Sequence, residues 1–408
     1  MSDNLFERLV AADPSREAIH TPEGTVLTYG DLVAASGRLA HALVALRVGP
    51  GDRVAAQVEK SVAALTLYLA TLRTGAVFVP LNTAYTLNEL GYFIADAEPA
   101  LVVCDPSVAA GVEALPGVAG RVATLDAEGK GTLTEAADGR PESFATVARD
   151  AGDLAAILYT SGTTGRSKGA MLSHGNLASN AEVLREHWRF GPGDVLLHAL
   201  PIYHAHGLFV AGNVALMAGA SMAFLPRFEP EAMLRLMPEA TVMMGVPTFY
   251  VRLLRDPRLG EAARRMRLFV SGSAPLLPET HRSWRVATGH AILERYGMTE
   301  TVMNVSNPYD GDRRAGTVGL PLPGVHVRLD PETHEILLRG PNVFAGYWER
   351  PEANAEAFTD GWFASGDVGA FDDDGYLRIV GRRKELIISG GYNVYPREVE
   401  DVLRGAAG

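Results

Sequence analysis

The chain has 408 residues, 47% of them hydrophobic, which is enough to bury a large core and to fill more than one domain or subdomain. Its formal net charge of −11 argues against a nucleic-acid or anionic-membrane partner, since both need a basic footprint. A single cysteine, Cys104, excludes an intrachain disulfide and fits a reducing, cytoplasmic setting.

The amino terminus, MSDNLFERLV, is acidic and amphipathic and does not read as a signal peptide. From there, short runs rich in Val, Ile and Leu alternate with helical patterns. The runs at 53–58, 76–81, 100–105, 154–160, 194–201, 221–226, 241–247 and 267–272 read as strands. Between them, 61–73, 86–97, 174–188, 230–237 and 277–287 carry helical periodicity. Continuous apolar strands in β/α alternation imply parallel sheets buried on both faces, hence an α/β fold. In such sheets ligands bind beyond the carboxyl ends of the strands.

Three stretches need separate readings. Residues 106–152 are rich in Ala, Gly and charge and read as a variable surface excursion. Residues 207–226 carry no charge and approach membrane-spanning length, but Gly219, Ser221 and Pro226 interrupt them. They read instead as a buried helix, a glycine stop and a short strand. The basic run RRMR at 264–267 reads as a solvated helix end. Beyond about residue 315 the pattern turns to short β-like runs and many glycines, which predicts a β-rich subdomain.

The densest chemistry lies in YTSGTTGRSKG, 159–169. Thr160, Ser161, Thr163, Thr164 and Ser167 offer hydroxyls, Gly162 and Gly165 let backbone N–H groups approach an anion, and Arg166 and Lys168 add charge. It is not a Walker loop. Counting from Gly162, the second glycine should fall at 167, where Ser167 stands, and Lys168 is followed by Gly169 rather than Ser or Thr.

This loop stands in order with LTYGDL (27–32), LPIYHAHGL (200–208), GSAPL (272–276), YGMTE (296–300), GPNVFAGYW (340–348), SGD (365–367) and GRRKELIISGGYNVYPREVE (381–400). Together they resemble the acyl-adenylate-forming superfamily of acyl-CoA synthetases, adenylation domains and firefly luciferase. The resemblance implies a large domain over 1–381 built on two mixed or parallel sheets, with the β-rich subdomain at about 315–381. Residues 382–408 would be the hinge and the truncated start of a mobile carboxy-terminal lid. It also implies attack of a carboxylate on the α-phosphate of ATP, with Mg²⁺ as cofactor and CoA as co-substrate. The γ-phosphoryl group is not transferred, so no Walker frame is needed.

Roles follow by motif. The loop would grip the β- and γ-phosphates, with Lys168 stabilising the departing pyrophosphate. Tyr296 would stack on adenine beside Gly297, Thr299 would bond the α-phosphate, and Glu300 would hold Mg²⁺ as a hard carboxylate ligand. Gly272, Ser273 and Ala274 would edge the adenine. Asp367 would accept from the ribose hydroxyls and Arg382 would donate to the ribose. His204 aligns with a position lining the acyl and CoA tunnel.

For the acid, Ser167 in place of the usual proline, together with LERYGMTE, PIYHAHGLF and MGVPTFYVRLL, resembles the malonyl-CoA synthetase branch. A dicarboxylate needs a buried cation for its far carboxylate, and arginine suits the task by its planar fork. Arg295 is the first candidate and Arg252 the second, with malonate or a methyl-substituted malonate as substrate. No obligate protein partner is implied. The four lysines are Lys60, Lys130, Lys168 and Lys384, and none matches the lid lysine that contacts the reacting carboxylate in the family. That leaves open a nucleotide- and acid-binding module with little turnover, and an adenylation domain serving a carrier protein.

Overall fold

The computed structural model describes residues 2–160 and 167–385, and the backbone of the strands Ile387–Ser389 and Tyr392–Val394. Two large sheets dominate. The first has six strands among the described residues, in the order Val122–Thr124, Leu101–Cys104, Arg53–Gln57, Val77–Pro80, Leu154–Tyr159, Gly169–Ser173. All its pairings are parallel except the last. The second has nine, in the order Leu320–Pro321, Val305–Ser306, Leu293–Tyr296, Leu268–Ser271, Val242–Gly245, Val195–His198, Ser221–Phe224, Glu17–His20, Val26–Thr28. Its middle pairings are parallel and both margins antiparallel.

The continuous apolar runs have a direct structural cause. Successive strand residues point to opposite faces, and both faces are covered. Val54 and Ala56 enter the core between the sheets while Ala55 enters a second cluster with Val79 and Phe93. Val242 and Met244 likewise face that central core, while Met243 packs with Phe269 and Trp284 in a third. The expected helices form at Val62–Arg73, Leu87–Ala97, His174–His187, Pro230–Leu236 and Pro278–Thr288. Thr28 with Asp31, Thr86 with Glu89 and Ser173 with Asn176 close capping boxes at three helix starts.

Two readings are corrected, one strand is new and one reading is borne out. Residues 106–152 are more than a surface excursion, because Val122–Thr124 joins the sheet edge and Leu133 is fully buried. Gly169–Ser173 forms a strand between the phosphate loop and the next helix. The uncharged stretch begins as a π-helix, His206–Gly212, continues as Asn213–Met217, turns at Gly219 and ends in the strand Ser221–Phe224. Among the described residues no helix is long and apolar enough to cross a membrane. In RRMR, Arg267 is structural, with its Nε and Nη2 each 2.7 Å from an Asp194 carboxylate oxygen.

The β-rich subdomain is an antiparallel sheet of His326–Leu329, Glu335–Arg339, Trp362–Phe371, Phe358–Thr359 and Leu377–Arg382. The tight connection at 330–334 is organised by the Asp330 carboxylate, which accepts from the Glu332 and Thr333 backbone N–H groups.

Candidate active site

The chemistry-bearing residues collect at the carboxyl ends of the strands, where loops carry function on a rigid scaffold. Leu154–Tyr159 leads into the loop expected to grip phosphate. Ser161, Gly162, Thr163, Thr164 and Gly165 lie outside the described residues. The loop's base is closed by a hydrogen bond from the Thr160 N–H to the Lys168 carbonyl at 3.0 Å. Beneath it, the Tyr92 hydroxyl donates to the Ser167 carbonyl, and the Tyr159 hydroxyl donates to Asp96 at 2.7 Å. Arg350 pairs with the other Asp96 oxygen.

Lys168 and Glu300 meet through one tyrosine. The Lys168 ammonium sits 4.2 Å from the centroid of the Tyr347 ring, and the Tyr347 hydroxyl donates to Glu300 Oε1 at 2.8 Å. Burial holds the Glu300 carboxyl above the ordinary carboxylate range, against the opposing pull of the Tyr347 hydrogen bond. Thr299 is half-buried in the turn that leads to Glu300.

The GPNVFAGYW segment explains how that turn is held. Asn342 Nδ2 lies within hydrogen-bond distance of the Thr301 and Met303 carbonyls, and the Phe344 N–H donates to the Glu300 carbonyl at 2.9 Å. Val302 adopts φ of 55°, a left-handed conformation that a β-branched residue takes only when its surroundings impose it. By Tyr347 and Trp348 the segment lies on the strand Gly169–Ser173, where the Trp348 N–H donates to the Gly169 carbonyl at 2.8 Å. One segment thus ties the phosphate loop to the carboxylate. Sequence reading found the motif but not this task.

Tyr296 and Asp367, expected at the nucleoside, are together: the Tyr296 hydroxyl donates to Asp367 Oδ2 at 2.6 Å. Gly297 follows directly on that strand end. Arg382 stands opposite Asp367 in the sheet, its Nε 3.4 Å from Oδ1. Burial raises the Asp367 carboxyl, offset by the Tyr296 hydrogen bond and the Arg382 charge.

Gly272, Ser273 and Ala274 follow the strand Leu268–Ser271, with Ser273 and Ala274 at the exposed rim. Gly272 is required by its neighbour, because a Cβ there would stand 2.3 Å from Cζ of Arg295. Arg295 is 4% exposed, and its Nε and Nη2 are buried without a hydrogen-bond partner. Burial pushes its guanidinium down to about 10, still well above neutrality. Ser273, at φ of 69°, brings its hydroxyl 3.1 Å from His206 Nδ1, while His206 Nε2 is buried and unpartnered. Burial first, and the Arg295 charge second, keep His206 well below the usual imidazole range and hence neutral. Ser271 Oγ is likewise buried and unpartnered.

His206, not His204, is the histidine of PIYHAHGL that reaches this cluster. His204 is exposed, its ring centroid 4.6 Å from that of Tyr203 and tilted against it. Arg252 is exposed on the helix Pro247–Leu253, its guanidinium 4.9 Å from the Phe228 ring. The described residues hold no group of three or more His, Cys, Asp or Glu side chains able to cage a metal. A lone buried carboxylate fits Mg²⁺, which is usually held by one or two carboxylates and substrate phosphates.

The arrangement therefore offers a lysine and a carboxylate joined through one tyrosine, a Tyr–Asp pair that links a strand end to the β-rich subdomain, and a buried cation with free donors. Residues 6–348 match the family described as AMP-binding enzyme. A feruloyl-CoA synthase of an Amycolatopsis species is 39% identical over 400 residues, covering 94% of this chain and 79% of that protein. A malonate–CoA ligase of Arabidopsis thaliana is 35% identical over 385 residues, covering 86% and 63%. The crystal structure of ATP-bound MatB from Rhodopseudomonas palustris superposes with a TM-score of 0.96 at 60% identity, covering 98% of this chain and 82% of that one.

Proposed function

The chain belongs to the AMP-binding enzyme family, among its AMP-forming acyl-CoA ligases, and on that premise we propose that its acid is malonate or a methyl-substituted malonate. The observation that carries this reading is Arg295, a buried cation with two unpartnered donor nitrogens beside His206 and Ser273. An unpaired buried guanidinium is costly, and a carboxylate that accepts from both nitrogens removes the cost. A long apolar or aromatic acid leaves those donors unsatisfied.

In this reading one malonate carboxylate is held by Arg295. His206, neutral, accepts from the Ser273 hydroxyl at Nδ1 and so presents an Nε2–H donor to the same end of the acid. The other carboxylate attacks the α-phosphorus of ATP. A new O–P bond forms as the bond to pyrophosphate breaks, giving acyl-adenylate and pyrophosphate. The CoA thiolate then attacks the acyl carbon and AMP leaves. Lys168 and the loop donors stabilise the leaving pyrophosphate, and Thr299 donates to the α-phosphate. Tyr296 covers the adenine, beside the backbone of Gly272, Ser273, Ala274 and Gly297. Asp367 and Arg382 bind the ribose. Glu300 would hold Mg²⁺, which neutralises phosphate charge when bound.

Arg295→Ala tests the assignment. Its activity on malonate should fall by roughly 2 to 5 kcal/mol in kcat/KM, the range for stranding one member of a buried charge pair, while acetate is far less affected. Equal losses on both acids would make Arg295 a scaffold residue.

A further inference from the structure

Lys60 is a buried amine that the steps above leave unused. It lies between the strand Arg53–Gln57 and the helix Val62–Arg73 and is 6% exposed. Among the described residues no carboxylate stands within ion-pair distance of it. Its Nζ donates to His198 Nδ1 and to the His198 carbonyl, both at 2.8 Å, and sits 4.2 Å from the centroid of the Phe224 ring. Burial pushes the Lys60 amine well below the usual lysine range, and enclosing it with only neutral partners costs free energy, so packing alone is a poor reason for it.

The hydrogen bonds run on from there. Lys60 supplies the proton at Nδ1, so neutral His198 carries its own on Nε2. That nitrogen lies 2.9 Å from the Gly207 carbonyl, to which it donates. Gly207 occupies the first turn of the π-helix His206–Gly212, pressed so closely that a Cβ would stand 1.9 Å from the Pro201 carbonyl oxygen. Its chain neighbour His206 reaches Ser273 beside Arg295. π-helical turns are rare and commonly mark functional positions.

We propose that Lys60 is a positioning residue for acid recognition: acting through His198, it fixes the first turn of the π-helix and so keeps His206 directed at the acid pocket. The identity of the acid rests on the malonate reading above; the relay from Lys60 to His206 rests on the hydrogen bonds alone.

Lys60→Met keeps the side-chain length and removes the donors. With a non-reacting ATP analogue present, calorimetry should find malonate bound at least tenfold more weakly to this variant, and the analogue itself bound within twofold of wild type. His198→Gln keeps an N–H for the Gly207 carbonyl and should retain most malonate affinity; His198→Leu should not. Nitrogen-15 spectra of the wild type, with the His198 signals assigned by their absence from His198→Gln, should show the Nε2–H tautomer. Unchanged malonate affinity in Lys60→Met, or an equal loss of malonate and analogue affinity, overturns the proposal. So does an Nδ1–H tautomer at His198, which decides the matter even if Lys60→Met fails to fold. If wild type binds no malonate, the malonate reading falls on its own. The same comparison is then made with whichever acid binds.

Discussion

Glu300 shows how a single residue is set between stability and chemistry. Burial lifts its folded-state pKa above that of an unfolded glutamate. As pH rises past about 4.3, the unfolded chain therefore loses its proton first, and the native state loses stability until the folded group also ionises. At neutral pH the ligand-free protein thus carries a cost at this position. Glu300→Gln retains an acceptor for the Tyr347 hydroxyl and should be more stable than wild type at pH 7 in denaturant unfolding. The same variant should lose the magnesium dependence of ATP binding. An unchanged magnesium titration would remove Glu300 from the metal's neighbourhood. At this scale the motifs YGMTE and SGD were readable because their chemistry is local. His206 was not: PIYHAHGL offers two histidines two residues apart, and only the π-helical first turn decides which one points inward. The duty of Asn342 was hidden for a related reason, since its partners at Thr301 and Met303 are about forty positions earlier in the chain.

At the scale of elements, the continuous strands were legible because burial on both faces removes polar positions from the pattern. Short edge strands such as Val122–Thr124 were not, since three residues carry no period. Gly169–Ser173 was obscured because it runs without a break into the helix His174–His187. His174 itself links that helix to the first one, since its Nδ1 accepts from the Leu5 N–H at 3.1 Å. Burial, reinforced by Arg149, pushes its imidazole down to about 4. The unfolded value is near 6.5, so the stability it contributes is fully present above pH 6.5 and is lost as pH falls toward 4. A shift of that size corresponds to about 3 kcal/mol. His174→Asn, which can still accept from the Leu5 N–H but does not titrate, should therefore lose less stability between pH 7 and pH 4.5 than wild type, by about 2 kcal/mol. Urea unfolding at the two pH values measures it, and parallel losses would show that His174 does not report the acid transition.

At the scale of the molecule, the site lies where two sheets and a β-rich subdomain converge, and the GPNVFAGYW segment joins all three. A polypeptide limited to these 408 residues has four lysines. Lys60 is enclosed with His198 and Lys168 faces Tyr347. We propose that such a polypeptide binds ATP and malonate but adenylates roughly two to three decades more slowly than a relative whose lid supplies a lysine at the reacting carboxylate. Thioester formation should suffer more, and covalent addition of a carboxy-terminal segment that supplies such a lysine should restore turnover. Full-rate malonyl-CoA synthesis by the 408 residues alone would mean that another group clamps the carboxylate. Loss of a clamp on the reacting carboxylate slows every acid alike, so the order of preference survives it. The most direct measurement is therefore ATP–pyrophosphate exchange driven by malonate, methylmalonate, acetate and ferulate in turn. Free donors on Arg295 predict that malonate or methylmalonate supports exchange at least ten times faster than acetate or ferulate. Faster exchange with ferulate or acetate would contradict the assignment of this pocket to a dicarboxylic acid.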